Sequence, residues 1–188
     1  MIRSLTNLLG APLRDGLRGI SLSANWMWPA KQPGENASLY EAVESLSKTC
    51  IELGIPVPTG KDSLSMTMRY QDGQIVKAPG TVIVTAVSPV ENFSKRVTPL
   101  LEGTEGDIYY LPLGFGGLGG SALSQVLGEI GSNPPDLDLH FFKKAFAEIL
   151  DAVKSGDITA LHDISYGGLG VSLLEMGFCS NVGLDIEG

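Results

Sequence analysis

Three short polar stretches carry the residue types that could do chemistry. The first is Gly60-Lys61-Asp62-Ser63, a cation, a carboxylate and a hydroxyl at consecutive positions. Pro56 and Pro58 stiffen its approach, and Gly60 permits a bend that a Cβ would resist. Leu64, Met66 and Met68 then alternate with Ser65, Thr67 and Arg69, a strand pattern with one apolar face. A polar turn held between apolar segments suits a phosphorylated ligand, gripped by backbone N–H groups and side chains. An ordinary surface β-turn uses the same residues.

The second stretch, Gly114-Phe115-Gly116-Gly117-Leu118-Gly119-Gly120-Ser121, leads from a strand into a helix. That layout offers free N–H groups and a helix dipole to an anion. It lacks the Lys of a Walker loop and the dinucleotide glycine spacing. Close helix-to-sheet packing explains the glycines equally well. The third, His162-Asp163-Ile164-Ser165, sits at the carboxyl end of a short strand, where ligands collect in α/β proteins. Asp163 could hold Mg²⁺ and Ser165 a phosphate or ribose. A turn-capping Asp is the alternative. No nucleophile elbow accompanies His162, so a Ser-His-Asp hydrolase is not indicated.

The elements that must position these stretches read as α-β-α-β-β, a linker, then β-α-α-β-α-β. A helix spans Ile2 to Leu9, with Asn7 on its polar side. Ile20, Leu22, Ala24 and Trp26 alternate with Ser21, Ser23 and Asn25, which predicts a strand with a small polar face. Ser38-x-x-Glu41 has capping-box spacing for a helix closed by Gly54. Its apolar stripe is Leu39, Val43, Leu46, Cys50 and Leu53. Asp72-Gly73 signals a hairpin. The apolar run Val82 to Val87 is expected inside a sheet. Ser94 to Gly106 reads as a linker, dividing domains at 1–98 and 107–188. Asp107 to Leu113 is expected as a strand, followed by a helix bearing Leu123, Val126, Leu127 and Ile130. Phe142, Phe146, Ile149 and Val153 mark another helix, closed by Gly156. Ile158 to Leu161 is a short strand, Leu169, Leu173, Met176 and Phe178 a third helix, and Gly183 to Glu187 a last strand. Because the chain opens within a helix and closes within a strand, it is expected to be part of something longer.

Composition narrows the function. The 188 residues carry a net charge of -8, which argues against nucleic acid as a partner. Cys50 and Cys179 have no Cys-x-x-Cys partner and read as buried free thiols in a reducing compartment. No apolar run reaches transmembrane length. A soluble cytoplasmic protein without membrane association is expected.

Six segments, in order and in register, resemble one family. They are Leu5-Thr6-Asn7, Leu22-Ser23-Ala24-Asn25-Trp26-Met27-Trp28, Gly60-Lys61-Asp62-Ser63-Leu64-Ser65-Met66, Leu118-Gly119-Gly120-Ser121-Ala122-Leu123, Pro134-Pro135-Asp136-Leu137-Asp138 and His162-Asp163-Ile164-Ser165. The family is that of the large single-chain phosphoribosylformylglycinamidine synthases, within the superfamily typified by aminoimidazole ribonucleotide synthetase. The likeness covers essentially the whole chain. The Pro134 to Asp138 stretch and the Ser-Ala-Asn-Trp-Met strand separate it from other enzymes of the superfamily.

The resemblance implies an α/β (α+β) fold of two partial subdomains, the N-terminal one lending strands to a β-barrel. It implies part of an ATP-dependent carbon–nitrogen ligase of purine synthesis. In that reaction ATP converts the amide oxygen of formylglycinamide ribonucleotide to an iminophosphate. Glutamine-derived ammonia then displaces phosphate to give the amidine. Gly60, Lys61, Asp62 and Ser63 match the loop that reaches ATP and substrate. Asp163 and Asn7 match Mg²⁺ ligands, and Ser165 a contact to a second ATP- or ADP-type nucleotide, thought to be structural. An alternative role is therefore a non-catalytic Mg-ADP scaffold. Arg3 stands where the family has a Glu ligand, and Tyr166 where an acidic residue is usual. Implied partners are the glutaminase domain and the first synthetase half, both outside this chain, or a second copy paired through barrel strands. The chain alone is expected to be inactive.

Overall fold

The computed structural model describes residues 1–103, 106–129 and 133–186. The chain divides into two compact units, Met1–Leu5 with Arg14–Pro89, and Thr6–Leu13 with Val90–Gly188. Each is mixed α/β.

The first unit is built on a βαβ arrangement. Strand β1 (Ser21–Met27) leads into helix α2 (Glu35–Leu53), which returns to strand β2 (Thr59–Ser63). β1 and β2 pair in parallel, which requires such a crossover. Strand β5 (Thr81–Val87) pairs antiparallel with the other side of β1, giving the order β2-β1-β5. Among the described residues this sheet is open and does not close into a barrel. β5 is therefore an edge strand rather than an interior one. Its apolar residues Val82, Ile83 and Val87 are exposed.

Helix α2 begins one turn earlier than the Ser38 capping box predicts. Gly34 adopts the left-handed region (φ +83°), and the Ser38 N–H already donates to the Gly34 carbonyl, 3.2 Å away. At the other end Gly54 (φ +70°) terminates the helix as expected. The core of this unit takes Leu5 from the first helix, α1 (Ile2–Thr6), with Ile20, Leu22, Ala24, Trp28, Cys50, Leu53 and Ile55. Asp72-Gly73 does turn a hairpin, between β3 (Thr67–Arg69) and β4 (Ile75–Lys77). β3 is shorter than the strand expected from Leu64 onward, because only three pairs form with β4.

The second unit centres on helix α4 (Leu139–Ser155). Asp138 caps it, accepting from the His140 and Phe141 N–H groups at 2.8 and 3.0 Å. Phe142, Ala145, Phe146, Leu150 and Val153 bury one face, at helical spacing. The 3₁₀ turn Asn7–Gly10 lies against this helix. It is the tightened end of the helix expected to run from Ile2 to Leu9. Helix α5 (Gly168–Ser180) buries Ser172, Met176 and Gly177 but leaves Phe178 and Cys179 exposed. Cys179 is thus not the buried thiol its apolar neighbours suggest.

Three expected strands of this unit do not form as such. Residues 107–113 are not paired as a strand; the strand is β6 (Gly114–Gly116), antiparallel to β7 (Pro135–Leu137). Ile158 to Leu161 reduces to a single parallel bridge, Thr98 to Ala160. Residues 183–186 are irregular, and Glu187 lies outside the described residues, as does Ile130. Each segment has the apolar content of a strand, but a strand also needs a neighbour to take its backbone groups. Helix α3 (Ala122–Val126) is a short turn capped by Ser121, whose Oγ accepts from the Ser124 N–H at 3.2 Å.

Candidate functional site

Gly60-Lys61-Asp62-Ser63 is not a turn. All four residues belong to β2, whose backbone groups pair with β1. Gly60 is not among the residues with positive φ, so a sharp bend is not what it provides. Its role is close approach: a Cβ there would lie 2.2 Å from the Ala24 carbonyl oxygen. Extended backbone also splits the three side chains. Lys61 and Ser63 lie on one face, register partners of Asn25 and Met27, while Asp62 lies on the other beside Trp26. Lys61 Nζ donates to Ser63 Oγ at 3.0 Å, so cation and hydroxyl act together and Asp62 does not join them.

Two other predicted site residues do meet. Asn7 Nδ2 donates to Asp163 Oδ1 at 3.3 Å, across 156 positions of sequence, within the second unit. The 3₁₀ turn presents Asn7; the segment after the Ala160 bridge presents Asp163. The Asp163 side chain is only 10% exposed. Ser165, half-buried, closes a tight turn in which its carbonyl accepts from the Gly168 N–H at 3.1 Å. That turn delivers the chain into α5.

The sequence reading missed Glu175. His162 Nε2 donates to Glu175 Oε2 at 2.9 Å, while His162 Nδ1 lies 3.8 Å from Asp163 Oδ1. Glu175 is thirteen residues away on α5, and the alignment follows from where that helix starts. An exposed acidic residue immediately before the buried Met176–Gly177 pair gave no usable signal.

Mg²⁺ takes one or two carboxylates and fills its remaining positions with phosphate oxygens and water. Asp163 supplies a carboxylate, and Asn7, with its amide turned, a carbonyl oxygen. The pair fits a phosphate-bound Mg²⁺ and falls short of an all-protein cage. No group of three or more His, Cys, Asp or Glu residues able to hold a metal occurs among the described residues. The glycine-rich stretch 114–121 forms β6 and the α3 cap, so its glycines are accounted for by the β6–β7 pair and the turn.

Residues 1–89 match the FGAR-AT PurM_N-like domain family, and residues 104–187 match the AIR synthase related protein C-terminal domain family. The chain is 42% identical over 189 residues to a probable phosphoribosylformylglycinamidine synthase, chloroplastic/mitochondrial, of Arabidopsis thaliana. It is 41% identical over 189 residues to the phosphoribosylformylglycinamidine synthase of Homo sapiens, and 41% over 193 residues to that of Dictyostelium discoideum. Each match covers 98% of this chain but only 13–14% of the relative, so the chain spans about one-seventh of their length. With a PurM_N-like domain followed by an AIR synthase-related C-terminal domain, the chain is homologous to one segment of the phosphoribosylformylglycinamidine synthases.

Proposed function

We propose that this chain serves as part of the synthetase region of an ATP-dependent ligase in purine biosynthesis, which converts formylglycinamide ribonucleotide and glutamine-derived ammonia to the amidine. Residues 1–98 act as the partial N-terminal subdomain and 107–188 as the partial C-terminal one. Lys61 and Ser63 contact ATP or substrate, with Gly60 setting the strand approach and Asp62 facing away from them. Asn7 and Asp163 hold Mg²⁺, and Ser165 contacts the nucleotide. When bound, Mg²⁺ neutralises phosphate charge; the residues position and desolvate the phosphates. The first synthetase half and a glutaminase domain are required partners. The open edges of β2 and β5 are where that half, or a second copy, completes a barrel. The setting is cytoplasmic.

The observation that carries this reading is the meeting of Asn7 and Asp163. They stand 156 positions apart in the sequence, and nothing in that spacing brings them together. That same contact favours a second reading, in which this segment holds Mg-ADP structurally without taking part in turnover. Calorimetric titration of Mg-ADP into the chain and its Asp163→Asn variant tests the nucleotide site. Binding weakened by the substitution supports it; unchanged binding refutes it. Restored synthesis of the amidine on adding the other synthetase half and an ammonia source separates the catalytic reading from the purely structural one.

A further inference from the structure

The register of the β2-β1-β5 sheet sorts its side chains into two chemically different faces. Register partners share a face. Leu22, Ala24 and Trp26 lie on one, and Ala24 and Trp26 line an apolar groove of about 560 Å³ with Val43, Leu46 and Cys50 of α2. This is the face turned to the helix. The opposite face carries Ser23 and Asn25 from β1, Thr59, Lys61 and Ser63 from β2, and Thr85 from β5. Met27, Ile83 and Val87 share this face, but its middle, around Asn25 and Lys61, is polar where a face destined only for packing reads apolar.

Asn25 stands at its centre, partnered by Lys61 on one side and Ile83 on the other. Neighbouring strands bring Asn25 and Lys61 within about 5 Å at the backbone. Asn is disfavoured in strands, and more so in the middle of a central one. It is half-buried, and among the described residues no hydrogen bond engages its carboxamide. Ile83, on the same face, is 51% exposed, so the surface there is open. A residue that contradicts its local structure without internal compensation is where function overrides folding preference.

We propose that Asn25 is a specificity-determining residue for a ribose-phosphate ligand that lies on this face. Lys61 and Ser63 hold the phosphate, Lys61 as a point charge and Ser63 as a donor. The Asn25 carboxamide pairs with a hydroxyl or amide of the attached group. This rests on the reading of Lys61 and Ser63 as ligand contacts, and adds a residue, a face and a ligand orientation.

The test uses the full ¹⁵N-labelled chain, titrated separately with formylglycinamide ribonucleotide and with inorganic phosphate. The expected result is a shift of the Asn25 side-chain amide resonances with the ribonucleotide and none with phosphate. Asn25→Ala lowers ribonucleotide affinity about tenfold, the worth of one good hydrogen bond, and leaves phosphate binding unchanged. Lys61→Ala weakens both. Backbone resonances of β1 and β5 report whether each variant is folded, and Asn25→Ser serves if Asn25→Ala is not. If Lys61→Ala weakens both ligands while the Asn25 variants weaken neither, the inference is overturned and the Lys61–Ser63 contact survives. If the wild-type chain does not respond to the ribonucleotide, or Lys61→Ala is without effect, both are overturned.

Discussion

Gly60→Ala is the substitution that most directly tests how β2 is built. In an extended strand Ala is normally the better residue, by roughly 0.5–1 kcal/mol, because Gly loses more backbone entropy on folding. Here the added Cβ would sit 2.2 Å from the Ala24 carbonyl oxygen, 3.1 Å from its carbon and 3.3 Å from its nitrogen. All three are backbone atoms of β1, the central strand, and cannot rotate away. β2 lies at the sheet edge, so the strand yields by separating from β1 near the Ala24–Gly60 pair. That gives up two or three ladder hydrogen bonds at about 1 kcal/mol each, and strain of the overpacking kind adds about 1–3 kcal/mol if the strand stays. Set against what Ala would otherwise gain, the net change is destabilising by about 1–2 kcal/mol. Urea unfolding of the two proteins measures it, and amide exchange at Lys61 to Ser63 shows whether β2 has detached. A neutral or stabilising result, with those amides still protected, refutes the close-approach argument.

Other outcomes follow from the same geometry. Asp138→Ala removes the acceptor for two N–H groups of α4 and costs about 1–2 kcal/mol in urea unfolding. Phe142→Ala empties the centre of the second unit, where Phe142 and Phe146 rings lie 5.8 Å apart, and costs about 3–5 kcal/mol by the same measurement. In native buffer a thiol reagent labels exposed Cys179 quickly, while Cys50, 6% exposed, reacts only after unfolding. Burial pushes the Cys50 thiol above its ordinary pKa, so its protonated form stabilises the fold below the unfolded value. That contribution disappears as pH rises through the folded value; unfolding midpoints that fall at alkaline pH in the wild type but less in Cys50→Ala show it. Asn7→Ala weakens Mg-ADP binding without altering binding of metal-free ADP, by calorimetry in the presence and absence of Mg²⁺.

Much of the framework was legible because it is local. The α4 stripe of Phe142, Phe146 and Val153, its Gly156 stop, the Gly54 stop of α2 and the Asp72-Gly73 hairpin each depend on residues within one or two turns. β1 was readable from alternation alone, including the small polar face that carries Asn25. Residues 107–113, Ile158 to Leu161 and residues 183–186 were misread because apolar, β-branched segments resemble strands whether or not a neighbour is present to pair with them. Gly60-Lys61-Asp62-Ser63 was misread for the opposite reason. Its composition is that of a turn, and only the backbone of β1 makes it a strand.

The order of side chains therefore determined which groups this protein has to offer: Lys61, Ser63, Asn7, Asp163, Ser165 and the secondary elements that carry most of them. Tertiary structure alone decided which of them act together. Parallel pairing of β2 with β1 put Lys61 and Ser63 on Asn25's face and sent Asp62 to the other, and the seat of the Asn7–Gly10 turn brought Asn7 to Asp163. Periodicity along a chain reports the direction of a side chain relative to its neighbours, whereas the partner across a sheet or a core is set by packing between segments far apart in sequence.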